Sequence, residues 1–396
     1  MKISKIQTRI IKDSRKKDTI EVQIFFNKGF SVFASVPKGT SEGEKEAIYL
    51  LPQKAQENIQ KIIQPKLIDR EFSSQKDFDN FLIDLDGTKD KSGLGANAIL
   101  ALSLAFARGI AKARDLELYQ YLSQLANAKP ELPSFYINLI EGGKHAENGP
   151  DWQEYLAVVK EKTAQEQLEV SNNLFDHLGD LLRNQTEILK NGYEGGYDLE
   201  IKDCLKPINL INKTIEGLGL RDRVGVALDV AANSFAIDQG NSYQVSEKRI
   251  EVKELTNMYK NVSSKYNLIS IEDPYYENKI EDYATLNQSL DSGFVVGDDL
   301  TVTQADLIKK AIQFNAIGGV VIKPNQVGSL TEVIGAIKVA KENNIKIIVS
   351  HRSGETMDDF IADLAYGVGA YGLKSGSPEP QERLVKYQRI IEIESS

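Results

Sequence analysis

The chain is short of cysteine, histidine and positive charge, and it has no long uninterrupted apolar run. Cys204 is the only cysteine, so no internal disulfide can form and nothing calls for an oxidising compartment. It is expected to be a small, half-buried apolar side chain. Three histidines in 396 residues leave little scope for a histidine-rich metal cluster. A formal net charge of −9 and a pI near 5.2 disfavour a general binder of nucleic acid or anionic membrane, which would show a basic face. No apolar segment reaches the length needed to span a bilayer, and the polar opening MKISKIQTRIIKDSRKKD lacks the apolar core of a secretion signal. The expectation is a soluble, cytoplasmic protein; additional exposure at a cell surface leaves no mark in a sequence.

What the chain does have is a repeated punctuation, clearest from Gly297 to Gly328. Phe294, Val295 and Val296 lead into Asp298 and Asp299, an amphipathic run follows, and Val320 to Ile322 lead into Lys323. Core strands of a parallel sheet are almost wholly apolar, so charge at their ends lies on the rim where ligands bind. VGVALD ends in Asp229, LISIED in Glu272 and Asp273, IKIIVSHRSGE in Ser350, His351 and Arg352, and YGLKSG in Lys374. From Glu272 onward these ends fall about 25 residues apart, the length of a strand plus a returning helix. That period predicts an α/β fold with a (β/α)8-type barrel. The period alone also admits a doubly wound open sheet, but polar groups on five successive strand ends fit a closed ring better.

Ile3 to Ile11, Ile20 to Phe26 and Phe30 to Val36 are β-branched, aromatic and broken by charged turns, which predicts a three-stranded meander. The polar loop from Val36 to Glu44 suits movement over a ligand, although a plain connection reads the same way. Helical periodicity follows at Gln56 to Ile63, Phe78 to Leu85 and Ala96 to Leu116. Strands followed by helices make an α+β domain over residues 1–130, with the barrel over 131–396.

Three carboxylates on different strand ends, Asp229, Glu272 and Asp298, form a hard-oxygen set suited to Mg²⁺ rather than zinc. Each alone could be a helix cap or a surface ion pair; three on adjacent strand ends are harder to explain so. Lys323 and Lys374 face the same rim. A lysine crowded by cations has its pKa lowered and can serve as a base, which beside Mg²⁺ suggests proton abstraction next to a carboxylate. His145 and His351 lie in loops at strand ends, Glu154 on a following strand, and Glu194 in the turn NGYEGGY. His177, in a helical run, is expected at the surface.

At these residues the chain resembles the enolase family, the phosphopyruvate hydratases of glycolysis. The likeness runs from Asp13 to the KYQRIIEIE tail and is most specific in LDGTKDKSGLGANAILALSLA, IEDP, GDDLTVT, IKPNQVGSLTE, SHRSGETMDDFIADLA and LKSG. The resemblance implies two Mg²⁺ per active site, one held by Asp229, Glu272 and Asp298 and a second closed over by Ser41. It implies Lys323 as base towards 2-phosphoglycerate and Glu194 as acid, assisted by Glu154, with His145 near the substrate and Gln153 as an orienting residue. Ser350, His351, Arg352, Ser353 and Lys374 would bind substrate, Arg352 and Ser353 at the phosphate. It further implies a homo-oligomer, dimer or octamer. Where the family usually has aspartate before the acid, this chain has Tyr193; Lys16 and Lys17 interrupt a usual GNPT, and Ser234 replaces a common glutamate. Rival readings are a related lyase acting on an acid sugar and a non-catalytic scaffold; the intact loops and carboxylates argue against both.

Overall fold

The computed structural model describes residues 1–40, 43–147, 149–183 and 190–396. Strands β1 (Ile3–Lys12), β2 (Asp18–Phe26) and β3 (Ser31–Ser35) form the antiparallel meander. Their alternating pattern leaves one face for helices, and Ala96–Ala113 packs there. Phe78 stacks on Phe106 with ring centroids 4.0 Å apart. Gly109 exists for this packing, since a Cβ there would sit 2.2 Å from the Phe26 ring. Contrary to the sequence expectation, Ala96–Ala113 is by length and composition apolar enough to cross a membrane; its apolarity is accounted for by burial of 83% of the helix inside the protein.

Eight strands then close a barrel: β4 (Ser134–Glu141), β5 (Glu154–Val159), β6 (Val224–Asp229), β7 (Leu268–Glu272), β8 (Phe294–Gly297), β9 (Gly319–Ile322), β10 (Lys346–Ser350) and β11 (Gly372–Lys374). They are almost wholly apolar and buried because helices cover the outside and side chains fill the inside. Tyr136, Leu156, Ala227, Val296, Val321 and Ile348, each from a different strand, pack together as an interior cluster. Pairing of β11 with β4 closes the ring.

The strands do not all alternate with helices. β5 runs antiparallel to both β4 and β6, in register Glu141↔Glu154↔Asp229, so the barrel begins as a hairpin and is not a uniform (β/α)8. Among the described residues of the 142–153 loop the helical element is a single 3-10 turn, Gly143–His145, and no returning helix stands between β4 and β5. Reversal puts the first residue of β5, Glu154, on the rim where the other strands end.

Salt links join the meander and its helices to the barrel. Arg108 grips Asp358 through two hydrogen bonds of 2.7 and 2.8 Å and reaches Asp359 at 2.7 Å, and Lys91 pairs with Glu332 at 2.8 Å.

Candidate active site

The strand ends bring Glu154, Asp229, Glu272 and Lys374 together. The Lys374 ammonium, 2% exposed, lies 3.1 Å from Glu154 Oε2, 3.0 Å from Asp229 Oδ2 and 2.9 Å from Glu272 Oε2. Burial lowers the affinity of a lysine for its proton, but these three carboxylates outweigh it and hold Lys374 well above the ordinary lysine value. Burial, with Asp229 alongside, pushes Glu272 up to about 8. Gln153 donates to Asp229 Oδ2 at 3.3 Å, the orienting contact expected of it.

Next along the ring, Lys323 hydrogen-bonds Asp298 Oδ2, whose other oxygen accepts from Gln326 at 2.9 Å. This overturns the expectation of a lysine depressed by neighbouring cations. Burial and Arg352 do act in that direction, yet Asp298 dominates and Lys323 is raised above its ordinary value. The physical reason is proximity: a carboxylate in contact outweighs cations farther off.

Asp229, Glu272 and Asp298 therefore do not close on one another as the sequence suggested; a lysine stands against each. Among the described residues, ligand-type atoms come within 4.8 Å of one another in two groups of three, His145 with Glu154 and Glu194, and Asp273 with Asp298 and Asp299. The Asp273 carboxylate is committed to the backbone N–H groups of Asp298 and Asp299, at 3.0 and 2.6 Å, and so shapes the turn. The rim nevertheless fits a divalent cation: its donors are hard oxygens, and Glu272 Oε1 is buried with no hydrogen-bond partner.

Glu194 is buried between two imidazoles, 3.2 Å from His351 Nε2 and 3.6 Å from His145 Nδ1. Arg383 hydrogen-bonds His351 Nδ1 at 2.6 Å; a guanidinium only donates, so Nδ1 accepts and the proton of neutral His351 sits on Nε2, facing Glu194. Burial raises Glu194, whereas charged imidazoles would pull it well below the usual range. Burial also lowers both histidines, His351 to about 3, so at neutral pH they are uncharged and that pull lapses. Burial and Glu194 push Glu154 well up. Glu154 and Glu194 thus form a buried pair that holds a proton between them at neutral pH.

Arg352 binds Glu46 at 2.9 and 3.2 Å and Asn325 at 3.0 Å, and the Thr40 N–H donates to Ser353 Oγ at 2.8 Å. The loop after β3 therefore lies across the His351–Ser353 segment; Ser41 is outside the described residues. Ser350 is not brought into the charged cluster, since its hydroxyl donates to the His351 carbonyl. Cys204 is fully buried rather than half-buried. His177 is half-buried on its helix and remote from the rim. Sequence reasoning missed Glu141, Glu46, Gln326 and Arg383. Of these only Glu141 carried a signal, the charged end of an apolar strand.

A closed barrel with buried carboxylates, lysines and histidines on one rim, capped by an α+β domain, defines an acid–base enzyme of the α/β-barrel class. Family models described as "Enolase, N-terminal domain" and "Enolase, C-terminal TIM barrel domain" match residues 3–122 and 129–396. Curated relatives named enolase include those of Ehrlichia ruminantium (38% identical, covering 100% of this chain and 96% of the relative), Methanosarcina barkeri (37%, 99% and 94%) and Methanopyrus kandleri (36%, 99% and 95%). The chain belongs to the enolase family.

Proposed function

We propose that the protein is a working enolase, a hydro-lyase that reversibly converts 2-phosphoglycerate to phosphoenolpyruvate with two Mg²⁺ ions. The observation that supports this reading is the set of buried pairings at the strand ends, Lys323 with Asp298, Lys374 with Glu154, Asp229 and Glu272, and Glu194 with His145 and His351. Lys323, once released by Asp298 and neutral, takes the C2 proton. Glu194 gives a proton to the C3 hydroxyl, which departs as water while the C2–C3 double bond forms. Asp229, Glu272 and Asp298 would hold one ion and Ser41 would help hold the second; bound Mg²⁺ supplies charge neutralisation for the substrate carboxylate and the enolate. Arg352, with its planar fork of donors, and Ser353 suit the phosphate; Arg352 is now paired with Glu46, which the phosphate would replace. His351 and His145, both neutral, keep Glu194 in a water-poor pocket.

We further place the domain boundary at 130/131 and take the enzyme to be cytoplasmic and homo-oligomeric, a dimer or octamer. Purified protein is expected to form phosphoenolpyruvate from 2-phosphoglycerate, followed by ultraviolet absorbance, and to stop when Mg²⁺ is chelated. Absence of turnover with Mg²⁺ present would refute the reading.

A further inference from the structure

Glu141 is a carboxylate that this mechanism does not use, yet it is 0% exposed and lies directly under the acid. It ends β4, paired in register with Glu154. Both its oxygens accept from the Glu194 N–H at 3.1 Å, and Oε1 also accepts from the Gly196 N–H at 2.6 Å. The turn is wrapped around this group. A Cβ on Gly192 would fall 2.3 Å from Glu141 Oε2, and one on Gly196 would fall 3.1 Å from its Cγ, so the glycines of NGYEGG are what let the carboxylate in. Tyr193, where the resemblance expects an aspartate, is 50% exposed; its N–H donates to the His145 carbonyl, and its carbonyl accepts from Arg383.

We propose that Glu141 is the positioning residue for Glu194, supplying from the end of β4 the carboxyl group that Tyr193 does not supply from within the turn. The inference rests on the reading of Glu194 as the acid. Two effects follow from one contact. The backbone of Glu194 is clamped, which aims its carboxyl between His145 and His351. Burial and Glu194 push Glu141 well above the usual carboxylate range, so two carboxyl groups in one dry pocket hold a proton between them, the proton that Glu194 can donate.

The groups facing Glu194 are Glu141 from β4, His145 from the following loop, Glu154 from β5, His351 after β10, Lys374 from β11 and Arg383 from the last helix. The imidazoles are neutral at pH 7. Lys374 is shared among Glu154, Asp229 and Glu272. Arg383 is committed to His351 Nδ1 and to the carbonyls of Arg352, Ser353 and Tyr193. Glu141 and Glu154 are thus the carboxyl groups with which Glu194 shares its proton.

The test is Glu141→Gln, which keeps shape and removes the titrating group, with three readouts: exchange of the C2 proton with solvent, net dehydration, and the pH profile of dehydration. Exchange depends on Lys323 and should stay within about threefold of wild type, while dehydration falls by about 10- to 100-fold, the usual span for an acid that is weakened but present. The alkaline limb of the dehydration profile should move to lower pH, because Glu194 loses its proton more readily. Equal loss of exchange and dehydration, or an unmoved alkaline limb, would overturn the proposal and leave Glu141 a structural residue. Should Glu141→Gln not fold, Glu141→Asp, which keeps the carboxyl group but draws it back, should show the same split in smaller measure, and equal losses there would overturn it too. Wild type run alongside separates the two claims: an inactive wild type refutes the enolase reading, whereas an active wild type with an unaffected Glu141→Gln refutes only this one.

Discussion

Replacing Lys374 by methionine removes charge with little change of shape, and the structure sets the size of the effect. Lys374 faces Glu154, Asp229 and Glu272 at about 3 Å, all of them buried. Without the ammonium, the rim relieves its repulsion by taking up protons. Glu272 already sits at about 8 and is largely protonated at pH 7. The added cost is therefore that of holding a proton on one further carboxyl. A group of unfolded pKa near 4 kept protonated at pH 7 costs about 1.4 kcal/mol for each of about three pH units, or about 4 kcal/mol. Unfolding a 396-residue chain carries an entropy of about 0.8 kcal/mol/K, so Tm should fall by about 5 °C. The sign with pH is fixed. A carboxyl raised in the folded state loses stability as pH rises, so the deficit of Lys374→Met relative to wild type should shrink to about 2 kcal/mol at pH 5.5. Thermal unfolding of both proteins by circular dichroism without Mg²⁺, at pH 5.5 and pH 7, reads this directly. Adding Mg²⁺ should raise Tm more in the variant, since no ammonium competes for Asp229 and Glu272. A deficit that does not change with pH would mean that lost packing, not charge, is responsible.

Lys323→Ala should lower C2 proton exchange and net turnover together by about 10³-fold or more while leaving the circular dichroism spectrum unchanged; near-normal exchange would remove Lys323 from the base role. Glu194→Gln should depress dehydration at least tenfold more than it depresses exchange, and equal losses would show that Glu194 also organises the base. Arg108→Met breaks the paired link to Asp358, whose carboxyl is buried yet held below its usual range by Arg108. Loss of about 3 kcal/mol is expected at neutral pH. Because Asp358 is depressed in the folded state, that loss should fade as pH drops below about 4, and urea denaturation at pH 7 and pH 3.5 distinguishes it from a pH-independent packing defect.

Asp229, Glu272, Lys323 and Lys374 were legible because each ends a strand that is otherwise apolar, and a buried strand has no other use for charge. The meander was legible from its alternation. The direction of β5 was not: EYLAVV has the same composition run either way, and the twelve residues before it are enough for a hairpin or a parallel crossover. Nor could the sequence tell which charge across the ring each lysine meets. Lys323 looked like a lysine among cations and is a lysine against Asp298, because pairing across a barrel depends on strand tilt and register. Arg383 lies 30 to 32 residues along the chain from His351, Arg352 and Ser353, the groups its guanidinium holds, so its grip on His351 leaves no local trace.

Closure of the ring by β11 against β4 has a consequence for when the site comes into being. Gly372, Leu373 and Lys374 pair with Ser134, Phe135 and Tyr136, partners more than two hundred residues away in the chain. Contacts of such separation are among the costliest in loop entropy and tend to form late, whereas the β4–β5 hairpin is local. The lysine that binds three carboxylates thus arrives on the strand that locks the ring. A chain that has not yet brought β11 to β4 carries Glu154, Asp229 and Glu272 without their ammonium, and acquires a balanced rim only when β11 joins the ring.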